Sequence, residues 1–211
     1  MNIAIFIQAR NHSTRLPNKI NLPFGKSTVL ETLIDTCEKV NPLPRAIEVQ
    51  THVISSFEDP VPDSYVSNTQ GNDLVSRYFD ATEHFKPDAI VRVTSDCPLL
   101  PQSILEVCIT QLLKFDYVSN VNPRTFPDGH DVQGISFEGM KWINTHQTEN
   151  REHPFFDLEY DYNFEKKFEQ AGFTVNRILN GNEMISNPYH PESKLSIDTQ
   201  EDYERCLKKL S

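Results

Sequence analysis

Ile3–Ile7 is a continuous apolar run rich in β-branched residues, and Ala89–Val93 is a second, interrupted only by Arg92. A run of five without polar alternation reads as a strand buried on both faces, the habit of a parallel sheet covered by helices. Helical spacing follows between such runs. Val29, Leu30, Leu33, Ile34, Cys37 and Val40 recur with the helix period across Thr28–Val40, and Thr28 with Glu31 forms a capping-box pair at its start. Ala46–Val53 and Tyr65–Ser67 read as strands, and Asn72 as the cap of a helix with Leu74, Val75, Tyr78 and Phe79 on one face. Pro101–Ser103 opens a further helix, with Glu106 closing a second capping box. Tyr117–Asn120 and Asp131–Phe137 read as strands and Phe137–His146 as a helix, and Thr199 with Asp202 starts the last helix. This alternation predicts one α/β domain over 1–211, a mostly parallel mixed sheet with helices on both faces. The stretch 147–192, dense in aromatics, acids and loop formers, is expected to leave the sheet as a small arm.

The net charge of −10 argues against a nucleic-acid partner, whose footprint is basic. Residues 1–30 nevertheless hold Arg10, Arg15, Lys19 and Lys26 and no acid, which points to a local anion site. No run approaches the ~18 apolar residues of a membrane span. The first twenty residues lack a signal-peptide pattern, so a cytoplasmic protein is expected. The four cysteines show no CxxC spacing and suggest neither a zinc site nor a disulfide framework.

In sheets of this kind, ligands collect beyond the C-terminal strand ends. Gln8–Lys19 leaves the first such end with three cations and two hydroxyls, a lining suited to a triphosphate. It is not a Walker A loop, since GxxxxGK[ST] is absent, and the missing GxGxxG after the first strand argues against a Rossmann oxidoreductase. Asp96, at the end of a buried strand and just before Cys97-Pro98, is placed to hold hydrated Mg²⁺, which takes one or two carboxylates plus substrate phosphate oxygens. Asp198, after a short apolar step and before a helix, is a second candidate.

These segments, in this order, resemble cytidylyltransferases that activate sugars and sugar acids. The resemblance is to the spore coat polysaccharide biosynthesis protein F family, with KDO and acylneuraminate cytidylyltransferases as more distant relatives. It rests on Ile7-Gln-Ala-Arg10 with Ser13-Thr-Arg-Leu-Pro17-x-Lys19, Gly71–Ala81, Ile90–Leu99, Asp116–Asn120, Arg124–Val132, Ser136–Glu138, Arg151–His153 and Ile197–Asp202. It implies a nucleotide-diphospho-sugar transferase fold of three layers, CTP as donor, Mg²⁺ as cofactor and release of pyrophosphate. It implies a nucleotide site of Gln8, Ala9, Arg10, Ser13, Arg15, Lys19, Asn72, Asp73 and Arg77, with Arg15, Lys19 and Asp96 catalytic and Asp96 and Asp198 on the metal. It places Arg124, Asp128, His130, Asp131, Arg151 and His153 on the acceptor side, and implies a homodimer with 147–192 as the contact arm. Another base, a sugar-phosphate acceptor, or a catalytically weak nucleotide-binding relative are the alternative readings. Three positions depart from the family, which usually has glycine where His12, Asn18 and Ser95 stand here.

Overall fold

In the first strand, alternate side chains must serve two faces. Ile3, Ile5 and Ile7 point into one hydrophobic cluster, and Ala4 and Phe6 into another, all of them buried. The computed structural model describes residues 1–42, 46–181, 185 and 189–210. Its elements begin with β1 (Asn2–Gln8), the short pair β2 (Pro23–Phe24) and β3 (Ser27–Thr28), α1 (Val29–Glu38), β4 (Glu48–Ser56) and β5 (Tyr65–Ser67). They continue with α2 (Leu74–Phe85), β6 (Ala89–Thr94), α3 (Gln102–Gln111), β7 (Tyr117–Ser119), β8 (Gln133–Ser136) and α4 (Phe137–His146). The last are α5 (Phe156–Tyr160), α6 (Tyr162–Gln170), β9 (Val175–Arg177) and α7 (Gln200–Leu207).

Seven strands form one mixed sheet in the order β5-β4-β1-β6-β8-β7-β9. β1 lies parallel between β4 and β6, with Ile3 opposite both Val49 and Ala89. β8 runs antiparallel to β6 and β7. Leu30 and Leu33 of α1 and Ile104, Leu105 and Cys108 of α3 cover one face. Val75 and Tyr78 of α2, Met140 and Ile143 of α4, Leu158 of α5, and Phe164 and Phe168 of α6 cover the other. The result is the expected three-layer α/β/α architecture.

Local expectations hold at α1 and α7, where the Thr28/Glu31 and Thr199/Asp202 capping boxes are both formed. Two need correction. Asp73, not Asn72, caps α2, its carboxylate accepting the Ser76 N–H at 2.9 Å. α3 has no capping box; it starts after Pro101 without a side-chain cap, and Glu106 instead accepts from the Asn41 backbone N–H and the Gln102 amide. Of the stretch 147–192, α5 and α6 pack on the sheet and β9 pairs parallel with β7. Its residues 182–184 and 186–188 lie outside the described residues.

Candidate active site

β1 and β6 end side by side, Gln8 opposite Thr94, so the loops leaving them face each other. Between those loops and the start of α2 lies a cavity of about 480 Å³. Gln8, Ala9, Arg10 and Lys19 line it from the first loop, Asn72 and Arg77 from the α2 region, and Thr94, Ser95 and Asp96 from the end of β6. Two acidic residues near β4, Glu58 and Asp59, complete a wall of mixed charge.

Asp198 arrives at this edge through backbone contacts. The Ile197 N–H donates to the Asp96 carbonyl at 2.8 Å, while Asp128 and Leu195 bond each other's chain segments a few residues upstream. Gly129 makes that crossing tight, with φ of +102° and a Cβ position 2.5 Å from the Ser196 nitrogen. A side chain there would collide with backbone. Two aspartates a hundred positions apart in the chain thereby meet around one ammonium. Lys19 Nζ donates to Asp96 Oδ2 at 2.6 Å, to the Ile197 carbonyl at 2.8 Å and to Asp198 Oδ1 at 3.3 Å. The Lys19 side chain is only 5% exposed, whereas Arg15, bonded to Asp198 Oδ1 at 2.9 Å, is 62% exposed. Burial alone raises the Asp96 carboxyl pKa, but the Lys19 charge and hydrogen bond outweigh it and hold the group below the ordinary carboxylate value.

A hard divalent cation fits this donor set. Two carboxylates already converge on one positive charge, and Mg²⁺ commonly takes its remaining ligands from water and substrate phosphate. Among the described residues there is no cluster of three or more acidic, histidine or cysteine side chains that could hold an ion unaided.

The two loop positions where glycine was expected behave differently. Asn18 adopts the left-handed conformation, φ 59°, that a glycine provides most easily. His12 has no positive φ; its backbone N–H and its ring Nδ1 both meet Asp59, each at 2.8 Å, and the ring is 89% exposed. Asp59 is pushed up by desolvation but held net below its usual pKa by these His12 contacts.

A second cavity of about 260 Å³ adjoins the first, and Arg92 and His153 line both. Arg124 and Asp131 also line it, bonded to each other through two contacts of 2.9 and 3.0 Å. Its far side is Pro154, Phe156 and Tyr160, with the two rings 4.8 Å apart.

Seven candidates from the sequence line neither cavity; Arg15 and Asp198 are the bonded pair described above, and the other five have different roles. Ser13 is buried. Asp73 caps α2 and accepts from Arg151 Nε at 2.9 Å. Arg151, expected on the acceptor side, is a structural clamp instead: its other donors go to the Asn144 and Gln147 carbonyls, the Asn144 side chain and Ser76 Oγ. All five guanidinium donors are thus committed. His130 is fully buried with its ring 5.8 Å from that of Tyr189, and Asp128 serves the backbone crossing described above. The sequence reading missed Arg92, although a cation inside an apolar strand was its signal.

A family model described as cytidylyltransferase matches residues 4–210. An uncharacterized protein of Methanocaldococcus jannaschii is 30% identical over 72% of this chain, which spans only 65% of that relative's length. The spore coat polysaccharide biosynthesis protein SpsF of Bacillus subtilis is 24% identical over 96% of this chain and 84% of its own. Among solved structures, a cytidylyltransferase from Leptospira borgpetersenii superposes with a TM-score of 0.75 and 28% identity, covering 96% of this chain and 83% of that one. CMP:2-keto-3-deoxy-manno-octonic acid synthetase complexed with CTP shares the fold at a TM-score of 0.66 and 12% identity, covering 100% and 98%. A Mycobacterium tuberculosis protein in complex with manganese does so at 0.58 and 17%, covering 98% of each chain.

Proposed function

Since this chain belongs to the cytidylyltransferase family, we propose that it transfers CMP from CTP to a hydroxyl of a sugar, sugar acid or related acceptor, releasing pyrophosphate. The observation that carries this reading is the convergence of Asp96 and Asp198 on one cation position at the joined ends of β1 and β6. The acceptor hydroxyl oxygen bonds to the α-phosphorus as its proton passes to solvent, the bond to the bridging oxygen breaks, and that oxygen leaves with the pyrophosphate. Little covalent work falls to the protein, so its task is positioning and charge stabilisation.

CTP is assigned to the larger cavity. Arg10, exposed on its wall, and Arg15, exposed beside Asp198, are the cations best placed to meet the β and γ phosphates. Asn72 and the buried Arg77 supply the wall on the nucleoside side. Asp96 and Asp198 would hold Mg²⁺, which when bound neutralises phosphate charge and polarises the phosphorus under attack. The second cavity is assigned to the acceptor, with Arg124, Asp131 and His153 on its wall. A role in making surface polysaccharide or glycoconjugate precursors agrees with the name of the Bacillus relative.

The test is pyrophosphate release with each of the four nucleoside triphosphates against a panel of sugar acids, amino sugars and polyol phosphates. CTP should support release with at least one acceptor. Release from another triphosphate alone would replace the donor, and silence across the full panel would overturn the reading.

A further inference from the structure

An ammonium has three N–H donors and no more. Those of Lys19 go to Asp96, to the Ile197 carbonyl and to Asp198, so none remains for a phosphate oxygen in this arrangement. The oxygens it occupies, Asp96 Oδ2 and Asp198 Oδ1, belong to the two carboxylates assigned to the metal. We infer that Lys19 and a divalent cation exchange at the Asp96–Asp198 pair, and that the triphosphate receives the displaced ammonium. This rests on the proposed function for the identity of the triphosphate, but the exchange itself is a property of the carboxylate pair.

The other charges facing the pair do not substitute for Lys19. Arg15 and Lys194 also reach Asp198, at 2.9 and 3.4 Å, but their side chains are 62% and 37% exposed. Water screens both, and Lys194 is held mainly by Asp202 at 2.7 Å, so neither pins the pair as Lys19 does. Lys19, 5% exposed, has no such freedom while it stays bonded, and a buried charge is held where its partners are. A second cation drawn to the same oxygens meets its full repulsion in a poorly screened place. Metal affinity without nucleotide is therefore kept low. A triphosphate offers Lys19 new acceptors and frees both carboxylates at once, so nucleotide and metal bind as a coupled pair. Lys19 acts here as a positioning residue that sets when the carboxylates become available.

The test needs no nucleotide and no turnover. Mn²⁺ is titrated into wild type and Lys19→Gln, reading free Mn²⁺ by electron paramagnetic resonance. Lys19→Gln should bind Mn²⁺ at least tenfold more tightly than wild type, and Asp96→Asn should abolish that gain. Equal or weaker binding by a folded Lys19→Gln overturns the exchange. Lysine footprinting of wild type by acetylation and mass spectrometry gives an answer even if that variant does not fold. Saturating Mn²⁺ should raise Lys19 labelling several-fold, and unchanged labelling would show that the ammonium never leaves.

Discussion

A charged side chain inside a buried strand is costly unless its charge is used. Arg92 donates to Gln133 at 2.6 Å, leaves its buried Nε without a hydrogen bond, and lines the wall shared by both cavities. A hydrogen bond from such a group to an anion is worth roughly 1.5–3 kcal/mol. Arg92→Gln should therefore lower kcat/KM for the acceptor by about 10- to 100-fold while changing the dissociation constant of CTP far less; steady-state kinetics beside calorimetric CTP titration checks this. His130 makes a different prediction. Desolvation lowers its pKa from 6.5 to about 4, so it is folded as the neutral ring. The unfolded chain then binds the extra proton, and the stability His130 contributes is complete above pH 6.5 and lost as pH falls toward 4. Wild type should lose about 2 kcal/mol from this source between pH 7 and pH 5. Urea unfolding at the two pH values should show a smaller loss in His130→Leu. The sequence suggested His130 as an acceptor contact because residue type and neighbourhood were visible there, whereas burial was not.

Periodicity revealed the elements that pack a long, one-sided apolar face. α1 and α2 are legible for that reason, and the strands β1 and β6 for their short apolar runs. α5 and α6 were not. They have five and nine residues, and the core residues Leu158, Phe164 and Phe168 stand among acids that hide the pattern. β9, three half-buried residues reading Val-Asn-Arg, carries no period at all. Caps were legible only to the residue type, since Asn72 and Asp73 are both good caps and only backbone geometry chooses between them. The element that matters most for the site is the crossing at Gly129. Gly129→Ala places a Cβ 2.5 Å from the Ser196 nitrogen and 2.6 Å from the Leu195 carbonyl carbon, at a φ that L-residues rarely adopt. We expect a loss of roughly 2 kcal/mol or more in urea unfolding. Activity should fall further than the unfolded fraction explains, because the crossing carries Asp198 to Asp96.

The site is assembled from segments far apart in the sequence. Lys19 lies in the first tenth and Asp198 in the last, and Asp96 stands between them on the central sheet. No local pattern joins such residues, so the sequence offered them only as separate candidates until a family resemblance set them in one cleft. The fold does the joining, through parallel β1 and β6 and the Ile197 to Asp96 backbone bond. What the resemblance did not convey is that Lys19 lies on the carboxylates in place of an open phosphate cradle. That acid pair is the proposed reaction centre. The direct measurement is the rate of CTP-dependent pyrophosphate release by Asp96→Asn and Asp198→Asn, each confirmed folded by circular dichroism. Both variants should lose at least about 100-fold, the scale seen when a charge-stabilising group is removed from a reaction centre. A near-wild-type rate in either folded variant would contradict the claim.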